Sequence, residues 1–467
     1  MKKTLGIFGL LVFVFVLTSL MSEAFLTPYN LENLIRRTSL FGIISIGVAF
    51  VIITGGIDLS IGSVICLVGC GLPWLLTKQD WSVGGALGII VFVSLAIGLT
   101  HGLLVAKLKL QPFVVTLCGL LFYRGITRGF TEDQTQGLGD AYPKLRMLAT
   151  AEIASVTAAQ ALFILGGLFL FIVGVWLFVA RRRGALGKDV KLSLGVAGLM
   201  AVFFIGAGIK SANHQPVVNV VASETESVAV DLPQGTFKVS LEGDAGAGWT
   251  PLAELPVEPS DEKQQLNVPS LAKLREQKPG NWTALRVVVT ERELATIGIP
   301  APCVILVIVA IFAGVFLNYT IYGRYLLALG NNEEAAKYSG IDTDKMIILA
   351  YVICSACAGL GGVLFVLDVN SAQPVDFGNF YELYAIAAAV LGGCSLRGGA
   401  GSIIGVLIGA ALMRVLRNTI TLVDWIPTHI EYAVIGIVIL GGVTVDELLK
   451  RIAAKRRAAA DARRDDD

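Results

Sequence analysis

Long apolar runs alternate with short polar stretches along most of the chain. A helix that crosses a bilayer takes roughly 20 apolar residues. Runs near this length lie at 38–54, 59–76, 84–106, 112–130, 161–180, 192–210, 301–321, 346–367, 402–420 and 429–445, and Met1–Phe25 and the shorter run 381–393 are further candidates. The pattern predicts an all-α polytopic membrane protein with about 12 transmembrane helices. Because glycines flank 381–393, we expect that element to be broken or re-entrant.

The stretch 211–296 follows a different pattern, with polar composition and alternating apolar positions. Short β-strands are predicted at 217–221, 227–232, 236–241 and 284–290. Turn sequences such as Pro233-Gln234-Gly235 separate them. We expect a small β-rich domain here, a β-sandwich with one short helix near Leu271–Gln277.

The composition supports a membrane protein. Hydrophobic residues make up 55% of the chain and charged residues 16%, whereas soluble domains carry ~25% charged residues. A formal net charge of +1 gives no reason to expect a nucleic-acid partner. The 7 cysteines fall in or beside apolar runs, so we expect buried, reduced thiols without disulfides or a metal site. The chain has no GxxxxGKS or GxxxxGKT motif, and therefore no phosphate-binding loop of that type.

A polar island between two apolar runs carries the strongest local signals. Tyr322–Ile341 reads YGRYLLALGNNEEAAKYSGI and predicts one short helix. Its signals are the capping residues Asn331 and Asn332, the acidic Glu333 and Glu334 at the positive end of the helix dipole, the helix formers Ala335 and Ala336, Lys337 near the negative end, and Ser339 and Gly340 at the C-terminal end. A capped, charged helix at the membrane face suits the groove of a partner, although a solvated connector would carry the same signals.

The distribution of basic residues predicts the orientation, because basic loops stay in the cytoplasm. Clusters at 107–109, 181–191 and 450–464 all fall on the cytoplasmic side if the N terminus is inside and the chain crosses about 12 times. The 331–340 helix falls on the same side. Arg36 and Arg37 are the exception, since they fall outside. We therefore expect both termini to be cytoplasmic and 211–296 to be extracytoplasmic.

The polar island closely resembles the cytoplasmic coupling loop of sugar-type ABC importer permeases, the ribose/xylose/galactose family. Four further blocks match that family in its order and spacing: Ile53–Val64 (ITGGIDLSIGSV), Ser371–Pro374 (SAQP), Glu382–Ala389 (ELYAIAAA) and Val390–Gly401 (VLGGCSLRGGAG). The resemblance covers residues 1–140 and 297–450, and its blocks taken together are highly specific.

The resemblance implies a permease subunit that carries a monosaccharide across a bacterial inner membrane. A separate cytoplasmic ABC ATPase would bind ATP–Mg and grip Asn332–Ser339, so the chain itself would be no enzyme and hold no cofactor. An extracytoplasmic solute-binding protein and a second permease copy, in a homodimer or a paired heterodimer, would complete the transporter. The family begins with a membrane helix, which favours a retained span at Met1–Phe25 over a signal peptide cleaved after Ala24.

The same resemblance implies a division of the chain into segments. The halves of the permease core would lie at 1–140 and 297–447. Between them, 141–210 would be an inserted pair of transmembrane helices and 211–296 an extracytoplasmic β-rich insert. A charged cytoplasmic tail would follow at 448–467.

Residues at glycine-rich breaks are candidates for the translocation path: Gly55, Gly56, Asp58, Ser60, Gln373, Pro374 and Glu382. An ionised carboxylate facing lipid costs on the order of 2.5–3.5 kcal/mol, so Asp58 should face protein or water. The amide of Gln373 offers a donor and an acceptor to sugar hydroxyls. Structural explanations compete with these roles, because Asp58 or Ser60 can cap the next helix and Pro374 can stabilise a turn.

Three other functions fit parts of the sequence. The chain could import autoinducer-2 or another small solute, or it could be a membrane receptor or scaffold whose outer domain senses a ligand. An ATP-independent carrier is a third candidate, but it would need no docking helix. Arg124 and Arg128, near the end of one apolar run, need no function beyond reaching the membrane interface.

Overall fold

The computed structural model describes residues 2–157, 296–423, several stretches between 217 and 291, and scattered positions elsewhere up to 444. The chain divides into two compact units. The first, a helical unit, comprises Met1–Ile153 and Ile299–Asp467, and the second comprises Ala154–Gly298.

Helices make up most of the described part of the helical unit. Its N-terminal half contains α1 (Lys2–Met21), a short 3-10 helix (Glu23–Leu26), α2 (Pro28–Ile53), α3 (Ile61–Thr77), α4 (Val83–Ala106), α5 (Pro112–Thr131) and α6 (Pro143–Thr150). Its C-terminal half contains α7 (Ala301–Tyr319), α8 (Ile321–Asn331), α9 (Glu333–Tyr338), α10 (Thr343–Val369), α11 (Tyr381–Leu391) and α12 (Ile403–Leu422).

Within the described residues, 6 helices are long and apolar enough to cross a membrane: α2, α4, α5, α7, α10 and α12. Three shorter apolar helices lie at Gly6–Met21, Ile61–Thr77 and Tyr381–Leu391. The prediction of a mostly helical, polytopic chain is confirmed. The predicted spans 161–180 and 192–210 lie outside the described residues, as does much of 429–445. The total of about 12 spans therefore stays a prediction.

Helix α10 lies at the centre of the helical unit and packs against α2, α3 and α4. Small residues let its backbone approach α4 closely, as in other membrane helix pairs. A Cβ atom on Gly98 would lie 2.6 Å from the Tyr351 carbonyl oxygen, and one on Gly102 would lie 2.6 Å from the Ile348 Cα. One turn further along, Gly359 faces the Ser94 side chain. At these glycines the backbones of α4 and α10 are therefore too close for larger side chains to lie between them.

Loops predicted to share the cytoplasmic side meet at one end of the helical unit, called here the α9 end. The Gly399 amide donates a 2.9 Å hydrogen bond to the carbonyl of Ile53, the last residue of α2. Lys107, which follows α4, pairs with Asp344 at the start of α10. The shared end agrees with the predicted alternation of crossings, and the side of the membrane that it faces stays a prediction.

The chain between α10 and α11 is unwound and packs along α3. The thiol of Cys70 donates to the Ala372 carbonyl at 3.6 Å, and that of Cys66 donates to the Pro374 carbonyl at 3.4 Å. Further on, Gly378 meets the backbone of Gly62, near the start of α3. Gly62 and Cys70 are eight residues apart on α3, so the unwound stretch descends about 12 Å into the unit. It leads into α11, which coincides with the run 381–393 that was expected to be broken or re-entrant; α11 itself is continuous from Tyr381 to Leu391.

The second unit contains β-strands, several of which were predicted. The described strands are β1 (Glu152–Thr157), β2 (Val217–Val220), β3 (Val228–Leu232), β4 (Thr236–Asp244), β5 (Trp249–Leu255), β6 (Gln264–Val268), β7 (Ala284–Glu291) and β8 (Thr296–Pro300). β2-β7-β4-β5 form one antiparallel sheet, β3 pairs with β6, and β1 pairs with β8. The four predicted segments coincide with β2, β3, β4 and β7, whereas β1, β5, β6 and β8 were not predicted. Much of the predicted helix 271–277 lies outside the described residues.

Candidate functional site

Helix α9 has the local structure that its sequence predicts, with one correction. The Asn332 side chain caps it by accepting a 3.0 Å hydrogen bond from the Ala335 amide. Asn331, expected to share this role, is instead the last residue of α8. At the other end Gly340 has φ +82°, a left-handed conformation that favours glycine. The amide of Gly340 donates to Lys337 O at 3.0 Å and that of Ile341 to Ala336 O at 3.1 Å, which closes a Schellman motif.

Almost every side chain of α9 is free to meet a partner. Ala336 alone is buried among the residues from Asn331 to Gly340. Glu333, Glu334 and Lys337 are exposed, as is Ser339, whose hydroxyl donates to the Ala335 carbonyl. Tyr338 is 91% exposed and was not singled out from the sequence. An aromatic side chain left in solvent beside charged residues is typical of a protein-binding surface.

A cluster of opposite charges ties the base of α9 to the loop between α4 and α5. Lys107 Nζ lies 2.8 Å from Asp344 Oδ2, and Lys109 Nζ lies 3.0 Å from Asp344 Oδ1. Lys109 also lies 3.8 Å from Glu333 in the first turn of α9. The hydrogen bond to Asp344 raises the pKa of Lys107, so this ammonium stays charged at neutral pH. We call Lys107, Lys109 and Asp344 the lysine clamp.

The chain just before α9 is held by backbone contact with two other segments. A Cβ on Gly330 would lie 1.8 Å from the Ile53 carbonyl oxygen and 2.4 Å from the Gly399 amide nitrogen. Gly399 itself has φ +73° and lies against Asn331. Three backbones therefore touch without intervening side chains, which we call the glycine junction (Ile53, Gly330 and Gly399). The end of α8 therefore packs directly on the end of α2.

Asp58 lies in the break between α2 and α3 and is 2% exposed. Its Oδ1 accepts hydrogen bonds from the Ser60 amide at 2.9 Å and the Ser60 hydroxyl at 2.6 Å. Of the two proposed caps, Asp58 therefore organises the turn, and Ser60 makes no side-chain cap of its own. Gly56 is buried beside the Tyr351 hydroxyl, whereas Gly55 is exposed.

Polar side chains from three helices surround Asp58 and were missed in the sequence. His101 of α4 is 2% exposed, and its Nε2 lies 3.0 Å from the Tyr123 hydroxyl of α5. Among the described residues, neither His101 Nδ1 nor the Tyr351 hydroxyl of α10 has a hydrogen-bond partner. Asp58 is near enough to His101, Tyr123 and Tyr351 to interact electrostatically with each. The signal was available, because His101 is the one titratable residue in the run 84–106.

The unwound stretch is fixed by Arg124, which corrects the expectation that this arginine only reaches the interface. Its guanidinium donates to the carbonyls of Pro374 at 2.9 Å and Phe377 at 2.7 Å, and to Asn379 Oδ1 at 2.8 Å. Arg128 instead forms an exposed pair with Asp133. The i, i+4 spacing places the two arginines on one face of α5 but does not show that only one of them points inward.

The predicted path residues are only partly brought together. Pro374 is buried against α3, and Glu382 is 8% exposed with its carboxylate beside Gly62. Glu382 and Asp58 are close enough to interact electrostatically. Gln373 is exposed beside this segment. Asp58, Ser60, Pro374 and Glu382 thus follow one side of α3, whereas the α9 residues form a separate surface.

Among the described residues, no group of His, Cys, Asp and Glu side chains is arranged to hold a metal ion. Five of the seven cysteines are buried, whereas Cys118 is exposed and Cys303 is partly exposed. The prediction that all of the thiols would be buried in the chain is wrong at these two positions.

A helical bundle with an unwound segment buried inside it and polar groups between its helices has the architecture of a multi-pass membrane transport protein. The chain belongs to the family described as branched-chain amino acid transport system / permease component, whose model matches residues 30–195 and 194–443. These ranges run across the segment 141–298, so the predicted limits of the insertion stay a prediction.

Several relatives cover nearly the whole chain. It is 29% identical over 431 residues to the xylose transport system permease protein XylH of Escherichia coli K12, covering 92% of this chain and 87% of the relative. It is 28% identical over 433 residues to the XylH of Haemophilus influenzae, covering 92% and 91%. It is 27% identical over 441 residues to the ribose import permease protein RbsC of E. coli K12, covering 94% and 92%. No solved structure matches the chain. The resemblance to sugar-type ABC importer permeases is confirmed.

Proposed function

We propose that the chain is the permease subunit of an ATP-driven importer for a monosaccharide of the pentose class, in a bacterial inner membrane. The observation that carries this proposal is the similarity to xylose and ribose permeases over more than nine-tenths of the chain. The description of the matching family names branched-chain amino acids, which makes these solutes the first competitors to test.

A separate ATPase subunit would dock on α9. Several observations support this assignment: the exposed face of α9, its two capped ends, and the aromatic side chain of Tyr338. The chain itself would hold no cofactor, because ATP–Mg would bind to the partner subunit. Asn332 to Ser339 would contact the ATPase, and Asn331 and Gly340 would fix the position of the helix.

ATP-driven closure of the ATPase would then move the membrane helices through two connections. The lysine clamp joins α10 to the loop after α4, and its Lys109 also reaches Glu333 of α9. Helices α4 and α10 themselves pack backbone to backbone. The glycine junction joins α8 to α2. The break before Asp58 follows α2, so displacement at α9 would change the packing around the buried polar groups. Such coupling requires that α9 contact the ATPase differently in its two states.

The sugar path would run beside α3, where Asp58, Ser60, Pro374 and Glu382 lie. Polar groups inside a membrane protein are costly, and these four surround backbone that is not helical. In the conformation described here the side chains of Asp58 and Glu382 are closed off from solvent, as an occluded path requires. Gly55, Gly56 and Gln373 would lie at the two entrances.

The remaining parts of the proposal concern assembly. We propose a pair of permease copies, a solute-binding protein at the end opposite α9, and about 12 crossings with both termini cytoplasmic. Residues 211–296 would be an extracytoplasmic β-rich insert, next to the inserted pair of helices within 141–210. A domain in that position could recruit the solute-binding protein or replace it.

The test is ATP hydrolysis by the permease with its co-purified ATPase in nanodiscs. Pentoses, hexoses, autoinducer-2 and branched-chain amino acids would be added in turn, each with and without the solute-binding protein. Glu334→Arg combined with Ala335→Trp should abolish both ATPase association and stimulation. A charge reversal at the opposite end, at the exposed Lys78 (Lys78→Glu), should leave association unchanged.

Each alternative function gives a distinct result in this assay. Stimulation by an amino acid or by autoinducer-2 alone would replace the sugar assignment but keep the importer. If the ATPase never associates with the wild-type permease, the importer proposal fails. A receptor would then be indicated by ligand binding without hydrolysis, and a carrier by ATP-independent uptake.

A further inference from the structure

Four arginines cluster at the end of the helical unit opposite α9, where a cavity opens between α2 and α12. Its volume is about 200 Å³, and its lining includes Asn33, Arg37, Arg414, Arg417, Asn418 and Thr421. The volume is several times the ~30 Å³ that one water molecule occupies in the liquid. All of these side chains can donate hydrogen bonds. The lining of the cavity is therefore rich in hydrogen-bond donors and in positive charge.

The carboxylates of this region are already engaged by three of the four arginines. Arg36 pairs with Glu32 and lies 3.6 Å from Asp368. The other oxygen of Asp368 lies 3.3 Å from Arg37 Nη1. On α12, Arg417 Nε lies 3.0 Å from Glu431 Oε1.

Arg414 is the fourth arginine, and no carboxylate among the described residues pairs with it. Its Nε is buried and has no hydrogen-bond partner in the part of the chain that the structure describes, and its guanidinium carbon lies 4.9 Å from the centre of the Phe41 ring. Arg37 and Arg417 lie close enough to repel it. Phe41 interacts favourably with the cation through its ring face but cannot neutralise it.

The position of Arg414 makes this unbalanced charge costly. It lies eight residues before the end of α12, or about 12 Å along the helix axis. A guanidinium at that depth of a membrane span requires an anion, water or a path to the interface. Its planar fork matches the geometry of an oxyanion, and the amides of Asn33 and Asn418 can donate to the remaining oxygens, although one hydrogen of Asn418 is already given to Asn30. A neutral sugar would leave the charge uncompensated.

We propose that this cavity is an oxyanion site of the phosphate class, centred on Arg414. The phosphodiester of an anionic phospholipid headgroup and free inorganic phosphate share the required chemistry. The site lies on a different surface from α9, and it does not depend on the identity of the transported solute.

The test uses the full-length permease, stripped of lipid in a neutral detergent. Thermal unfolding would be followed with inorganic phosphate against chloride at equal ionic strength. Native mass spectrometry would count retained phosphatidylglycerol against phosphatidylcholine. Arg414→Gln should weaken binding of the anion about tenfold or more, since a hydrogen-bonded charge is removed. Arg324→Gln, at an exposed arginine of α8, is the matched control and should bind as wild type does.

The outcomes separate the two sources of the anion. Stabilisation by phosphate that disappears in Arg414→Gln identifies a free-anion site. Selective retention of phosphatidylglycerol by the wild type and the control, but not by Arg414→Gln, identifies a headgroup site. Should Arg414→Gln not fold, Arg414→Lys keeps the charge and removes the fork, and it should still lose most of the affinity.

Two results would overturn the proposal. One is equal binding of phosphate and phosphatidylglycerol by the wild type and Arg414→Gln. The other is that Arg414→Gln binds both anions as the wild type does but no longer binds the solute-binding protein. That result would place the Arg414 charge in a protein interface instead.

Discussion

The two ends of the helical unit are held by different combinations of contacts. At the α9 end, backbone touches backbone at the glycine junction, and Ile53 meets Gly330 with no side chain between them. At the opposite end, the unwound stretch after α10 also has backbone contacts, through the paired hydrogen bonds between Gln136 and Ala372 and where Gly378 meets Gly62. Its anchor on α5, however, is a set of three side-chain hydrogen bonds from Arg124. Backbone contact transmits displacement without slack, whereas side-chain hydrogen bonds can exchange partners. We therefore expect the Arg124 anchor to rearrange more readily than the glycine junction.

The largest effect is expected from added side-chain volume at the glycine junction. Gly330→Val would place atoms where the Ile53 carbonyl lies, so α8 and α9 must shift. Overpacking of this kind costs about 1–3 kcal/mol, and more where backbone must move. We expect the unfolding temperature to fall and substrate-stimulated ATP hydrolysis to be lost. Gly314→Val in α7 is the control, because a Cβ at Gly314 would meet nothing within 4 Å. Equal behaviour of the two variants would show that the junction does not transmit force.

The next effect concerns the opposite end. Arg124→Gln removes hydrogen bonds between a charged group and two carbonyls, which are worth about 1.5–3 kcal/mol. We expect a moderate loss of stability and ATP hydrolysis that no longer responds to substrate. Arg128→Gln, one turn away, removes only an exposed pair with Asp133 and should change little. Both variants can be followed by thermal unfolding and by transport into proteoliposomes. If Arg124→Gln changes neither stability nor transport, Arg124 does not anchor the unwound stretch.

Two substitutions at Asp58 can distinguish a structural role of its carboxylate from a role in transport. Asp58→Ala removes the acceptor for Ser60 and should cost about 0.5–2 kcal/mol, as loss of a cap does. Asp58→Asn keeps an acceptor oxygen, so its stability should stay close to that of the wild type. If Asp58→Asn also transports normally, Asp58 serves the turn alone. A variant that is stable but inactive would place the carboxylate on the path.

The smallest effect is expected at the lysine clamp. Asp344→Asn weakens two exposed pairs, and exposed pairs contribute little and are screened by salt. Because the pKa of Lys107 is raised, its contribution is complete at neutral pH and is lost only as the pH rises through that pKa. In Asp344→Asn the ratio of solute transported to ATP hydrolysed should therefore fall less than about twofold. This difference from the wild type should shrink as salt is added and should not change with pH near neutrality. A pH-dependent loss near pH 7 would point to another group.

Local features were predictable from the sequence, whereas contacts between distant segments were not. Capping residues, dipole charges and the closing glycine of α9 act within a few positions, and the alternation of apolar residues predicted four of the strands. Arg124 and Arg128 are four residues apart and look equivalent in sequence, yet only one meets Pro374. Likewise nothing in the sequence places Gly330, Gly399 and Ile53 together, because their contact depends on how three helices end.

The 11-residue length of α11 has a consequence for how the chain enters the membrane. Such a helix rises about 16 Å, roughly half of the ~30 Å hydrocarbon core. It is too short to be recognised as a span by itself, and it packs more extensively against α12, which follows it in the chain, than against α2 or α3. We expect residues 371–391 to enter last, drawn in between α10 and α12, which a cysteine-accessibility assay on arrested chains of increasing length would detect as protection only after α12 emerges. The interior of the permease would then be completed last: the surrounding helices would insert first, and the unwound stretch with α11 would enter between them afterwards.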